Sequence, residues 1–427
     1  MTTLLPPHVA RAGAYGLALG AFVMSLPAWT LRAQPSVPVR AFTGATLIDG
    51  TTRAPVPNAT IVVRNGRIVA AGPANAVRVP AGAERIALDG KTVIPGLINA
   101  HGHASSLANL ATYAAYGVTT VYSLGDETPE VFAARDAQRN APPEHARVYL
   151  AGPVLTPTTP EEARAQVEAV VARNVDIVKI RVDDNLGTAK KMAPEVYRAV
   201  IRAAHARGKR VAVHIYYLDD ARALLDAGAD YIAHSVRDVA VDAPFVQALK
   251  QSGVCYSPTL MREVSTFVYD TIPAFFRDSQ FLAHANRQWM TTVSEPARMA
   301  ATRTSTSAQR YKAQLPVATR NLATLDKAGV PIAMGTDTGP LGRFQGYFEL
   351  MEMEMMVDAG LSTRTVLTSA TLGAARCLRL DRELGSLEPG KWADFVVLDA
   401  SPLTDMRNIR KQHSVWIGGR QVNTRGR

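Results

Sequence analysis

From Thr92 to about Leu380 the chain repeats one pattern. A short apolar run is followed by a longer segment whose apolar positions recur at helical spacing. The runs predict strands at Val93–Ile98, Val118–Ser123, Arg147–Ala151, Asp176–Val182, Arg210–Tyr216, Tyr231–His234, Val254–Pro258 and Ile332–Asp337. Helical stretches such as Pro194–Ala206 and Ala221–Ala227 lie between them, and several end in Ala-Gly or Arg-Gly, a capping signal. Eight such units predict an α/β fold, a closed parallel (β/α)8 TIM barrel, with active residues at the C-terminal ends of its strands. An open doubly wound sheet competes with this, and the polar strand ends described below favour the barrel.

The pattern differs outside that region. Ala41–Ile48, Thr60–Val63 and Arg67–Ala70 are β-rich runs separated by Asp49-Gly50 and Asn65-Gly66, which predicts antiparallel hairpins. The same texture returns at Ala393–Leu398 and Ser414–Val422. Thr259–Gly329 separates the seventh and eighth strands and is rich in helix formers and aromatics. An insertion there reads as a lid over the site or as an oligomer contact, with equal weight.

The first residues change the picture again. Arg11, the apolar stretch Ala14–Leu26, Pro27 and Ala33 before Gln34 read as a secretory signal peptide over residues 1–33. A periplasmic or secreted enzyme is expected, with no stable membrane insertion after processing; an uncleaved anchor is the competing reading. The formal charge of +10 comes from scattered residues without any block of like charge, so no nucleic-acid partner is expected. Cys255 and Cys377 are the 2 cysteines, each in apolar surroundings. Buried free thiols are the expectation, with a single bond between them as the alternative in an oxidising compartment.

Candidate chemistry sits where the strands end. His101 and His103 follow the first strand at a spacing that turns both imidazoles the same way. His214 and His234 end the fifth and sixth strands, and Asp337 ends the eighth, where it can take a proton from an attacking water. Lys179 interrupts the apolar strand Asp176–Val182. A buried lysine has a depressed pKa, and its neutral amine can capture carbon dioxide as a carbamate with two oxygens for cations. A structural salt bridge is the alternative for Lys179. These N and O donors suit zinc, with manganese or cobalt as alternatives. Arg181 and Tyr216, each two residues beyond a donor, are candidate substrate contacts. Arg181 would meet a carboxylate, or else pair internally with Asp183, Asp184 or Asp219. The Met-rich segment Glu349–Met356 reads as core packing, and His145, His205 and His284 as structural or surface residues. Gly339–Gly342 lacks the lysine pattern of a phosphate loop.

The string Val93–His103, the Lys179 strand, the two histidine strands, Gly335-Thr-Asp337 and Gly390–Leu398 together resemble the amidohydrolase superfamily. The resemblance covers nearly all of the chain after residue 33, and lies with the imidazolonepropionase-like and prolidase-like branch with a carboxylated lysine. It implies a small composite β-sandwich made from residues 34–92 and 384–427, beside a barrel over 93–383. It also implies two zinc ions, one held by His101, His103, Lys179 and Asp337, the other by Lys179, His214 and His234. A hydroxide between them would cleave an amide bond in a small molecule, such as a dipeptide or an N-acyl amino acid. A mononuclear cyclic-amide hydrolase or deaminase, and a lactone or phosphoester hydrolase, are the alternatives. A homo-oligomer is compatible with all of these.

Overall fold

The computed structural model describes residues 39–423, so the expected leader at 1–33 lies outside the described residues. Arg40–Leu47 pairs antiparallel with Val56–Arg64, which turns back into Arg67–Pro73. The turn uses Asn65 and Gly66 at φ 52° and 78°, the left-handed pair that matches the twist of a tight hairpin. Arg40–Leu47 has register shifts on either side of Ala45, and it changes neighbours along its length. Its first half pairs parallel with Glu84–Ala87 and its second half with Thr92–Pro95. Phe395–Leu398 then pairs with Thr92–Pro95, and Gln412–Ile417 with Phe395–Leu398. Both ends of the chain therefore meet in one hydrogen-bonded sheet of 8 strands. Phe42, Phe395 and Trp416 pack at its centre, with Phe42 edge-on to the other two at 4.9 and 4.7 Å.

Between the two ends lie two parallel sheets. One holds Leu97–Gly102, Val118–Ser123 and Arg147–Leu150; the other holds Val178–Arg181, Val211–His214, Tyr231–Ala233 and Cys255–Ser257. These strands are buried along nearly their whole length, as the apolar runs of parallel strands shielded on both faces should be. The eighth run, Ile332–Asp337, does not form a continuous ladder. It touches its neighbours through bridges at Tyr256–Ile332 and Gly102–Thr338 and through the bond from Ala100 N–H to Met334 O at 2.8 Å. Leu155 bridges Ile180 between the two sheets on the other side. Gly335 shows why this segment is irregular: a Cβ there would lie 2.4 Å from Ser257 Oγ and 2.8 Å from His101 Cβ. Glycine lets the backbone press against the first strand, where a side chain would push it away.

The segment after the seventh strand folds as helices, among them Leu260–Val264, Arg287–Val293, Pro296–Thr304 and Thr306–Ala328. Its aromatics pack with Phe344, Tyr347 and Phe348. The same segment delivers Arg262, Glu263 and Tyr311 to the C-terminal side of the strands.

One expectation is corrected. Cys255 and Cys377 are not free thiols: they form a disulfide, their Cα atoms 5.7 Å apart across 122 residues of sequence. Strand Cys255–Ser257 and helix Leu372–Leu378 belong to the same buried cluster, which brings the two together. Neither local context carries a signal for that approach. Among the described residues, no helix is long and apolar enough to cross a membrane.

Candidate metal centre

The strand ends converge as the polar pattern requires. His101 lies in Leu97–Gly102, Lys179 in Val178–Arg181, and His214 closes Val211–His214. His234 follows Tyr231–Ala233 at once, and Asp337 is the last residue of the irregular eighth run. Donor atoms of His101, His234 and Asp337 lie within 4.8 Å of one another, all buried. Asp337 Oδ1 stands 2.8 Å from His103 Nε2 and 3.3 Å from His101 Nε2. The His214 and His234 rings are 4.0 Å apart, and those of His101 and His234 4.6 Å apart. Lys179 is 3% exposed, and its charge acts on His101, His214 and His234 alike.

Three site residues hold left-handed backbone: His234 at φ 76°, Thr259 at 49° and Asp337 at 59°. A non-glycine residue there costs about 1–3 kcal/mol, so the surrounding packing must enforce the geometry. Some of that enforcement is visible. Thr259 Oγ1 meets His234 Nδ1 at 2.8 Å, which turns Nε2 of that ring inward. His103 Nδ1 lies 3.0 Å from the Gly125 carbonyl, and Glu127 accepts from the N–H groups of Gly125 and Gly152 at 3.1 and 2.8 Å.

Burial governs the protonation states. It pushes His101 and His214 down to about 3, and His234 well below its ordinary range, so these three imidazoles are neutral with lone pairs to offer. His103 is the exception: burial opposes its proton, but the hydrogen bond and charge of Asp337 outweigh burial and raise it. Burial pushes Asp337 up, yet Arg343 and the bonds from His101 and His103 hold it well below the carboxylate range. Lys179 is lowered to about 7, chiefly by burial and against the pull of Asp337 and Asp183.

Several buried polar atoms here have no hydrogen-bond partner: His101 Nδ1, Lys179 Nζ, His214 Nε2 and Asp183 Oδ2. Orphaned polar atoms are expensive in a protein interior. Four imidazoles, a carboxylate and an amine form a donor set that fits a zinc-like divalent cation.

The depressed lysine has a measurable consequence in the metal-free chain. Its folded value of about 7 lies below its ordinary 10.5, so the stability it contributes is full above about 10.5 and is lost as pH falls through about 7. Lys179→Met cannot charge and should not show that loss. Denaturant midpoints measured across this window check it, and parallel curves for the two proteins would remove the effect.

The candidate substrate contacts are engaged with protein groups. Arg181 gives Nε to Asp183 at 2.7 Å and an N–H to Asn185 at 2.9 Å, which is the internal ion pair. The chain turns just after the strand and returns Asp183 to it. Asp183 Oδ2 in turn faces His214 Nε2 at 3.5 Å. Tyr216 is fully buried, donates to Gln314, and lies under Arg237, whose guanidinium is 4.6 Å from the ring centre.

Two residues of the site are hidden within the Met-rich segment. Met353 and Met356 do pack in the core, as expected, but Glu349 and Glu352 on the same helix, Tyr347–Asp358, are also fully buried. Asn99 and the hydroxyls of Thr336 and Thr338 donate to Glu349 Oε1 at 2.6, 2.7 and 2.5 Å. Asn99 also accepts the N–H of His101 at 3.0 Å. Glu349 thus grips both neighbours of Asp337 and, through Asn99, the first histidine. Glu352 accepts the N–H groups of Leu260 and Met261 at 2.8 and 2.6 Å, directly after Thr259. Burial raises these acids to about 7 and about 8. A helix apolar all round is a buried helix, and its acids must then be buried as well; that was the available signal. Glu352→Ala strands two buried amides, and a loss of about 1–3 kcal/mol for each is expected. Urea midpoints at unchanged m-value would show it, and a midpoint equal to the parent's would refute it.

Comparison with known proteins fits this geometry. The sequence model described as Amidohydrolase family matches residues 92–422. Imidazolonepropionase of Streptomyces coelicolor is 26% identical over 371 residues, covering 81% of this chain and 86% of that one. Ochratoxinase of Aspergillus niger is 23% identical over 282 residues, 63% of this chain but 51% of its own, so the chain spans about half the length of that relative. Among solved structures, a candidate prolidase from Bifidobacterium longum superposes with TM-score 0.73 at 29% identity, covering 92% of this chain and 96% of that one. An Xaa-Pro dipeptidase with bound methionine shares the fold at TM-score 0.72 and 21% identity, over 90% of this chain and 99% of that one.

Proposed function

The chain belongs to the amidohydrolase family, and on that premise we propose that it is a metal-dependent hydrolase cleaving an amide bond in a dipeptide or an N-acyl amino acid. The observation that carries this reading is the unpartnered Lys179 Nζ, buried like His101, His234 and Asp337, with His103 and His214 half-buried beside them. In this reading the two parallel sheets and the eighth run are one closed barrel, supported by the bridges at Leu155–Ile180, Tyr256–Ile332 and Gly102–Thr338. His101, His103, Lys179 and Asp337 would hold one cation, and Lys179, His214 and His234 a second, with the neutral Lys179 amine adding carbon dioxide and releasing a proton to give a carbamate. When bound, such cations polarise the scissile carbonyl and acidify water.

The chain's own groups do the rest. Asp337, ionised at neutral pH, accepts the proton of the attacking water at a carboxylate oxygen and returns it to the leaving nitrogen. Glu349 and Thr259 hold Asp337 and His234 in place, so neither must reorganise as charge develops. The disulfide supports export to an oxidising compartment, as the first 33 residues suggest.

A mononuclear cyclic-amide hydrolase or deaminase is the second reading, favoured by the closest donor trio, His101, His234 and Asp337, which alone could seat one ion. Metal analysis separates the two: two equivalents per chain support the first and one the second. A panel of dipeptides and N-acyl amino acids should be hydrolysed and then spared after chelation, with activity restored by zinc, manganese or cobalt. Undiminished hydrolysis in a metal-stripped protein would end both readings. Lys179→Ala regaining activity with a short carboxylic acid and metal would support the carbamate.

A further inference from the structure

Charge is unevenly shared on the side of Asp337 that faces away from the histidines. Oδ1 looks toward His101 and His103, whereas Oδ2 faces two guanidiniums. Arg343 pairs with it directly, and Arg262 Nε lies 3.9 Å away. Arg262 is 8% exposed, and Nε has no hydrogen-bond partner. Its nearer carboxylate is Glu263, whose Oε2 sits 3.3 Å from Arg262 Nη1 and 3.1 Å from Arg237 Nε. Tyr311 covers the Arg262 guanidinium with its ring centre at 4.5 Å. The Nε of Arg343 reaches only the neutral Ser265 Oγ at 3.1 Å. Three guanidiniums therefore share two carboxylates, and one of those is Asp337.

That balance cannot hold if Asp337 gives its charge to a cation, as the proposed function requires. Arg262 and Arg343 would then be left side by side, one nearly and one largely buried, with half a share of Glu263 between them. Leaving such charges uncompensated away from water is costly, and a planar carboxylate offers two acceptors matched to guanidinium donors. We propose that Arg262 and Arg343 together dock a carboxylate of the substrate, on the flank of Asp337 opposite the histidines. This deepens the reading above and rests on it. It assigns the substrate class as amides with a free carboxylate, such as dipeptides or N-acyl amino acids, and excludes their amides and esters. It also transfers to this pair the role expected of Arg181, whose guanidinium is held by Asp183 and Asn185.

The test uses the metal-loaded protein and two probes, N-acetyl-L-phenylalanine and its primary amide. Calorimetry should show the acid binding at least about tenfold more tightly than the amide, as charged hydrogen bonds allow. Arg262→Met and Arg343→Met should each erase that preference by weakening the acid alone, with metal content unchanged. Arg262→Lys should keep part of it, because charge remains but the fork is lost. Equal binding of the two probes by the parent protein, or an unchanged preference in both Met variants, would overturn the proposal. So would an equal loss for acid and amide in each variant, which marks residues that merely position Asp337. A protein that takes up no metal and cleaves nothing sinks the hydrolase reading instead, whatever the probes show.

Discussion

Asp337→Asn is expected to lower kcat by about 10²–10⁴-fold, the usual worth of a positioned acid–base group, while the fold persists. Asparagine keeps the shape and can still meet the donors around it, so the bonds among Thr336, Thr338 and Glu349 should survive. What disappears is the proton acceptor, together with the charge that raises His103 and satisfies Arg343. Steady-state kinetics on any cleaved amide, beside a circular dichroism melt, makes the measurement. A kcat within tenfold of the parent's, with metal still bound, would dismiss Asp337 as the proton carrier. The pattern should contrast with Arg262→Met, where the loss falls on binding of the acid.

The second large effect is on stability. Removing both half-cystines (Cys255→Ser with Cys377→Ser) releases a loop spanning 122 residues in the unfolded chain. The chain-entropy estimate for a loop of that length is about 5 kcal/mol, a large part of the stability of a typical domain. Denaturant unfolding with and without reductant should show the parent losing this stability and the double variant indifferent to it. Coincident curves for oxidised and reduced parent would mean that the bond contributes nothing.

How much of this could be read from residues alone varied with the kind of interaction. The polar residues that converge were legible because most of them end an apolar strand and Lys179 interrupts one, positions defined by local sequence. Val118–Ser123 and Pro194–Ala206 follow from apolar periodicity with the same bounds. The eighth run, expected as a strand, has only isolated bridges, and its close approach to His101 at Gly335 is a tertiary fact that local sequence does not carry. Glu349 and Glu352 escaped notice because charged residues on a helix are ordinarily its solvated face. Here the helix has no such face near them, and the acids turn inward to amides and hydroxyls from two other loops. Arg181 shows the reverse: its spacing from Lys179 suggested the site, and a carboxylate two residues away claimed it. The disulfide partners lie far apart in sequence, so only the packing of the seventh strand against the helix Leu372–Leu378 reveals the pair.

That covalent link also determines what a protease would leave behind. Cys255 and Cys377 bracket the whole helical excursion after the seventh strand, along with the segments that carry Arg262, Asp337 and Arg343. A single cut anywhere between the two cysteines yields fragments still tied to each other, which should migrate as one species until a thiol is added. Nicked material would then keep His101, Lys179, His214, His234 and Asp337 in one covalent species, and intact mobility on a non-reducing gel would not prove an unbroken backbone.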